Sequence, residues 1–467
     1  MKRLDEAVPH RTGLRPRTLL RLGLIPTALL ICLLVALGTA QGAPDTVTVT
    51  TTTDEVNGDT SSIAALISTP GGDGISLREA VIAANNTPGM DEIILPSGIY
   101  TLTIEGSGED LAATGDLDVT DDLTITGAGA STTIIDAGGM TADPDRVFHL
   151  GAGASYYVNA AISDVTITNG DAGDSHDGGG VWHRSYFGTL ALTRCTITNN
   201  SGYDGGGIAA YGELNLLGST ISGNTANDNG GGLYAADPTT IADSTISDNS
   251  AVGQGGGIYA DDNVTVTDTT ISGNSSLAGG GLALWYGSGS LDNTTITGNS
   301  SSGYIGVGGG IVSWSSTLVL TNSDISENSA SDGGAGIFTS DGAMTLVNCT
   351  VTGNTSQWNS GGINNGGDGI LEVIDSTVAE NVCRLRGAGI ANWDQGTVTI
   401  TGSSVNNNSA NHLPNTESLG GGIFNAGGLV DVDTTTISDN WADAGGGIFT
   451  TKNLTVANST ILSLIHI

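Results

Sequence analysis

A phrase of three glycines followed by an aliphatic residue, or a close variant of it, returns eleven times after residue 178, and nothing else in the chain restricts its fold as strongly. The aliphatic residue stands at Val181, Ile208, Leu233, Ile258, Leu282, Ile311, Ile337, Ile363, Ile390, Ile423 and Ile448, at spacings of 24 to 33 residues. A second phrase of the type Ser-Thr-Ile-Ser-x-Asn closes at Asn200, Asn224, Asn249, Asn274, Asn299, Asn328, Asn354, Asn381, Asn408 and Asn440. Short alternating runs such as Val264-Thr265-Val266 lie between the two phrases and carry strand periodicity. A fixed period of this length marks one supersecondary unit per copy, stacked on its neighbours.

Three short strands separated by Gly and Asn turns within about 25 residues describe one coil of a parallel β-helix, so the predicted fold is an all-β solenoid, for which parallel crossovers favour the right hand. Propeller blades need units of about 40 residues, and collagen needs glycine at every third position. Alternation along a strand sends Thr269 and Ile271 inward together and Thr270 outward. Equivalent residues of successive coils then stack about 4.8 Å apart. Cys195 and Cys349 fall in a column with Ser219, Ser244, Thr269, Thr294, Ser323 and Ser376. Six coils, or roughly 29 Å, separate the two cysteines, which excludes a disulfide. The repeated asparagine is expected to form an amide ladder from coil to coil.

The first forty residues differ from all that follows. They hold six of the chain's 13 Lys and Arg, then an apolar run at 22–37 and the small residues Gly38, Thr39 and Ala40. This is the pattern of a secretory signal. The chain therefore divides into a signal at 1–40, a capping segment with the first irregular coils at 41–170, and regular repeats at 171–467. Without the signal, 7 basic side chains face 46 acidic ones. Such a surface disfavours nucleic acid and anionic membrane as partners and suits an exported protein at the cell surface or beyond it. At the other end Leu462-Ser463-Leu464-Ile465-His466-Ile467 replaces the usual polar turn. The expectation is that the natural protein continues and that any membrane contact runs through an anchor further on.

Residues 76–85 are the best helix candidate outside the signal, with Ser76 as cap, Glu79 three residues later, and Leu77, Ala80, Val81 and Ala84 on one face. This helix would cover the open end of the solenoid. The stretch Ile75-Ser76-Leu77-Arg78-Glu79-Ala80, with Asp91-Glu92-Ile93-Ile94-Leu95-Pro96 after it, resembles the CSLREA domain at the start of many bacterial surface β-helix proteins, with Ile75 where that motif has cysteine. The downstream phrases are similar to the repeats of polymorphic outer-membrane proteins and of pectate-lyase-like β-helix proteins. The resemblance implies a surface protein with a structural, adhesive or glycan-binding role, or alternatively a polysaccharide lyase or glycoside hydrolase.

Chemistry is sparse in the sequence. A lyase would need carboxylates with a basic residue in one cleft, yet Arg146, Arg184, Arg194, Arg384, Arg386 and Lys452 are scattered along the chain and Arg78 belongs to the cap helix. The sequence names no catalytic residue and no metal ligand. A calcium ion is possible, but Asp368 in a single Gly-Gly-Asp-Gly phrase is its only hint. The densest polar cluster is Asp171, Asp174, His176 and Asp177, followed by His183 and Arg184, which reads as either a solvated loop or an acid-base site. More systematic is an aromatic residue one or three places after the repeated aliphatic residue: Trp182, Tyr211, Tyr234, Tyr259, Trp285, Trp314, Phe338, Trp393, Phe424 and Phe449. Pointing outward, these rings would form either a stripe for an extended glycan or a protein partner, or a ladder that stabilises the sheet.

Overall fold

The structure is a computed structural model that describes residues 44–462 apart from 154–155, 304–305 and 412–415. The expected signal at 1–40 and the unusual final residues 463–467 lie outside the described residues. Strands of equivalent position in successive coils pair in parallel, giving sheets of 15, 13 and 14 strands that run the length of the solenoid. About 13 turns of about 27 residues result. The early coils are longer than the regular ones: equivalent residues Asp45, Asp91 and Leu123 are paired in register across them. A fourth sheet, of nine two-residue strands, follows the repeated asparagines from Asn200 to Asn408. The sequence pattern suggests three strands per coil and hides this one, since two residues are too few to show a period.

Each coil is built as the alternation dictates. In one of them Ile258, Val264, Val266, Thr269 and Ile271 are all buried, and Thr270 between two of them is part-exposed. The Gly-Gly-Gly phrase is steric. Gly255 has φ +64°, a Cβ on Gly256 would sit 2.4 Å from the Ser275 carbonyl oxygen, and one on Gly257 would sit 2.6 Å from that of Gly281. The coils therefore approach there as closely as bare backbone permits. Cys195, Cys349 and Cys383 are free and buried. The Cys195 backbone N–H donates to Ser219 Oγ at 3.0 Å, so the column of small polar residues is also a column of hydrogen bonds.

The asparagines form the expected ladder. From Asn200 to Asn440, nine successive bonds join Nδ2 of one to Oδ1 of the next at 2.9–3.0 Å. Each Oδ1 also accepts from the backbone N–H of the preceding asparagine, as Asn299 does from Asn274 at 3.0 Å. Each Nδ2 also donates to a backbone carbonyl, as Asn299 does to Ile271 at 2.9 Å. A buried amide with its donors and acceptor engaged satisfies the corner where three sheets meet without water.

Two helices, α1 (Ile63–Ser68) and α2 (Leu77–Asn85), pack on the first coils. The second is the helix read from the sequence, with its capping box formed: Ser76 Oγ accepts from the Glu79 N–H while the Glu79 carboxylate accepts from the Ser76 N–H. The first is six residues long, too short to show amphipathic periodicity in the sequence. Among the described residues no helix is long and apolar enough to cross a membrane.

Candidate functional site

The outward face of the 13-stranded sheet is one continuous column, and its chemistry changes along its length. In register it reads Asp118, His149, Trp182, Ala209, Tyr234, Tyr259. The aromatic column found in the sequence thus ends, at the capped end of the solenoid, in a carboxylate and an imidazole. His149 stacks on Trp182 with ring centroids 4.3 Å apart and planes 17° from parallel.

A cavity of about 470 Å³ opens onto His149 and Trp182, with Asp118 buried beside the imidazole and not among the lining residues. Its walls come from the loop at 107–110, from Asp116, from the turn Asp143, Pro144, Asp145 and Arg146, and from Ala172, Gly173, Ser175 and His176. His149 Nδ1 lies 3.1 Å from Asp118 Oδ1 and 3.6 Å from Asp110 Oδ1. Asp118, His149, Asp116 and Arg146 are buried, whereas Asp110 stands on the rim. Arg146 reaches Asp116 at 3.5 Å and Asp145 at 3.8 Å. Its guanidinium lies 4.6 Å from the centroid of the Trp182 ring, and that of Arg184 lies 5.4 Å from it.

Burial sets the protonation of this group. Desolvation raises the Asp118 carboxyl to about 7, against a hydrogen bond from the Ala112 N–H, and Glu109 and Asp110 add to the rise. Asp116 is pushed well above the carboxylate range by desolvation and then by Asp118 and Asp145. Desolvation, with Arg146 adding to it, lowers His149 to about 3. Near neutral pH the imidazole is therefore uncharged, beside a carboxyl poised between its two forms. His149 Nε2, Arg146 Nε and Trp182 Nε1 are buried and meet no hydrogen-bond partner among the described residues. Such groups are uncommon in folded proteins, and each calls for an explanation. Asp110, Asp118 and His149 place one donor atom each within 4.8 Å of one another, a spacing that a divalent cation could bridge.

The capping helix holds this site in place. Arg78, fully buried, pairs with Asp54 at 2.7 Å and donates to the carbonyl oxygens of Ala112, Gly115 and Asp116. The Ala112 N–H in turn donates to Asp118 Oδ2 at 2.8 Å. Asn85 donates to the Asp118 carbonyl and accepts from the Thr120 N–H. The Leu-Arg-Glu-Ala stretch therefore caps the fold and fixes the strand that carries Asp118.

The sequence reading needs correction at one point and division at another. Arg146 and Arg184 are not scattered: they lie 38 residues apart in sequence, but Phe148–Leu150 and Val181–His183 pair directly and bring both to Trp182. The polar cluster splits. His176 and Arg184 line the cavity. Asp171 accepts from Ser201, Asp174 from Asn227, and Asp177 from the Tyr211 hydroxyl. His183 points into the solenoid, where burial lowers it to about 4 and neither ring nitrogen has a partner among the described residues. Asp116, Asp118 and His149 escape sequence reading because they sit in long irregular coils, away from any repeated phrase. The signal that could have found them is the register itself, since Phe148-His149-Leu150 and Val181-Trp182-His183 share one alternation.

The aromatic residues all face outward, and they pack on one another. Tyr211, Tyr234 and Tyr259 follow ring on ring at 5.6 and 5.3 Å, with hydroxyls held by Asp177 and Asp261. Trp285, Trp314 and Phe338 form a second run at 4.4 and 5.9 Å, with Trp285 Nε1 donating to Gln254. Trp393, Phe424 and Phe449 form a third at 4.8 and 5.8 Å, with Arg386 lying 5.7 Å from the first two rings. Where the nearer column holds a small residue, as at Ala209, Ala283 and Ala391, the aromatic stands two residues further along, at Tyr211, Trp285 and Trp393. Trp182 and the nine others are buried or half-buried, and Trp314 and Phe338 pack on Ala278, Val307 and Val312 as a small outer core.

The chain is similar to known proteins at the level of fold. A family described as a right-handed β-helix region matches residues 218–378. No curated protein matches the chain. Among solved structures, the A-module of the mannuronan C-5 epimerase AlgE6 of Azotobacter vinelandii is 12% identical, with 83% of this chain and 95% of that one covered and a TM-score of 0.39. The Agl-KA catalytic domain is 14% identical over 78% of this chain and 62% of that one, at a TM-score of 0.40. The catalytic domain of a GH87 alpha-1,3-glucanase, solved with nigerose, is 12% identical over 82% and 67%, at a TM-score of 0.31. Likenesses at this level speak to the fold alone.

Proposed function

We propose that the protein works outside the cell as a β-helix that binds a carboxylated polysaccharide at the cavity around Trp182, and that the Asp118–His149 pair moves a proton on the bound sugar. The observation that carries this reading is the join of an acid-base pair and two guanidinium groups at one tryptophan, on a surface otherwise dominated by acid. Arg146 and Arg184 are two of the seven basic residues after residue 40. Guanidinium groups suit a planar carboxylate. Neutralising the carboxylate of a uronate makes the hydrogen beside it easier to remove. His149 Nε2 offers a lone pair when Nδ1 carries the proton and gives it to Asp118, the arrangement in which a carboxylate orients a base. Export and a surface location rest on the basic, then apolar, first forty residues and on the acidic remainder. These features speak against nucleic acid as a partner.

The test is a panel of polyuronates and neutral glycans, scored for binding by titration and for cleavage by unsaturated-product absorbance, with and without calcium. Carboxylated glycans are expected to bind, Arg184→Ala to weaken them at least tenfold, and Asp118→Asn to abolish product while leaving binding within about threefold. Failure of every carboxylated glycan to bind would overturn the reading. Binding without product would leave a glycan-binding, adhesive surface protein.

A further inference from the structure

Beside the cavity, on the turn that leaves the 13-stranded sheet, four aromatic rings from two adjacent coils stand in solvent. Tyr157 and Phe187 are each 71% exposed and stack at 5.0 Å with planes 19° apart. Tyr156 and Tyr186 are 38% and 48% exposed at 5.9 Å, and Tyr186 leans on Tyr211 at 6.1 Å. They contrast with the half-buried ladder, where the hydroxyls of Tyr211 and Tyr234 donate to Asp177 and Asp261 and Trp285 Nε1 donates to Gln254. The turn that bears them is fixed. The Phe187 N–H donates to the Tyr156 carbonyl, the Val158 N–H to Ser185 Oγ at 2.6 Å, and the Gly188 N–H to the Ser185 carbonyl.

From this platform we infer that the cavity is one end of a longer sugar-binding cleft that crosses the solenoid at right angles to its axis, so that the ligand is an oligosaccharide with at least one pyranose stacked on an outer face of the Tyr157–Phe187 pair. The inference rests on the glycan reading given above. Three observations favour a sugar over a protein partner. The platform continues the cavity directly, because Tyr186 lies two residues beyond Arg184, which lines it. Its rings are paired and nearly parallel, with outer faces free for a pyranose. Its area is small: at about 200 Å² per aromatic side chain, the four rings expose roughly 450 Å². A stable protein interface needs about 800 Å² from each partner.

The test uses the full chain with galacturonate and mannuronate series of one, two, four and six sugars, titrated into the wild-type protein, the Tyr157→Ala/Phe187→Ala double variant and a Tyr157→Trp/Phe187→Trp control. In the wild type, affinity should rise at least tenfold between the two-sugar and the six-sugar ligand. The alanine variant should lose that gain while holding the shorter ligands within about twofold, and the tryptophan variant should keep it. Equal affinity of the alanine variant and the wild type for the six-sugar ligand would overturn the platform while leaving the cavity intact. Absence of binding at every length in the wild type would instead overturn the glycan reading itself. A circular dichroism spectrum and melting temperature matching the wild type show that the alanine variant is folded, which the full exposure of the two rings leads one to expect.

Discussion

Replacing Asn299 in the middle of the amide ladder should be among the most damaging single changes in this protein. Its side chain donates to the Ile271 carbonyl at 2.9 Å and to Asn328 Oδ1 at 3.0 Å, and accepts from the Asn274 N–H at 3.0 Å and Asn274 Nδ2 at 2.9 Å. All four partners are buried. At about 1 kcal/mol for each bond lost, with about 1–3 kcal/mol for a buried group left unpaired, Asn299→Ala should cost about 5–7 kcal/mol. Asn299→Asp has nearly the same shape and keeps the acceptor, yet it loses both donations and turns an anion towards Asn328 Oδ1 and the Ile271 carbonyl. It should cost at least as much at neutral pH. Asn227, exposed and with its side chain bonded to Asp174, is the control, and its alanine variant should fall within about 0.5 kcal/mol of wild type. Urea unfolding followed by circular dichroism gives the energies. Hydrogen exchange resolves where they act, since a solenoid can open locally, and protection should drop first at the coils of Asn274 and Asn299. Tolerance of Asn299→Asp within 1 kcal/mol would refute the hydrogen-bond account and leave only shape.

Other consequences are as direct. His183 is neutral in the fold, lowered to about 4 from 6.5, so acid draws protons onto the unfolded chain first and stability falls as pH drops from about 6.5 to 4. A His183→Leu variant should melt above wild type by a margin that widens through that window; a constant margin would contradict it. Asp118 has the opposite sign. Its folded value of about 7 lies above 3.8, so the native state gains protons, and stability relative to Asp118→Asn, as pH falls from above 7 towards 4. Any proton-transfer activity should rise as pH passes upward through about 7, and a flat profile would remove Asp118 from the chemistry. Arg78→Met breaks a buried pair and three bonds to the loop behind Asp118. A loss of about 3–5 kcal/mol is expected, with faster exchange at residues 112–118. Alanine at both Trp285 and Trp314 should lower the melting temperature, while glycan affinity measured on the folded variant stays within about twofold.

How far the sequence could be read differs between the two ends of the molecule. From Val181 on, every coil repeats the same phrases, and the interior column, the amide ladder and the helix after Ser76 follow from alternation, stacking and capping. The candidate site lies where coils are long and unrepeated, so Asp118 and His149 had no period to announce them. Arg146 and Arg184 looked unrelated because sequence distance within a solenoid says little until the register is known. The aromatic residues were legible as an outward column. Their sequence positions could not reveal that Asp177 holds the Tyr211 hydroxyl and Asp261 that of Tyr234, because those aspartates reach them from neighbouring coils.

The ladder also bears on how such a chain can change length. Each asparagine offers its oxygen to the coil before it and its nitrogen to the coil after it, with the same geometry at every step. Copying or deleting one coil between Asn224 and Asn408 in register therefore leaves no amide unmatched, since any neighbour presents the same two groups. Coil number is in this sense neutral to recombination in the regular part of the gene. The early coils, locked to α2 through Arg78 and Asn85 and bearing Asp118 and His149, have no interchangeable copies. Relatives that differ by whole coils are expected to gain or lose them beyond this end, which would move the far end of the solenoid away from or towards a site whose own geometry stays fixed.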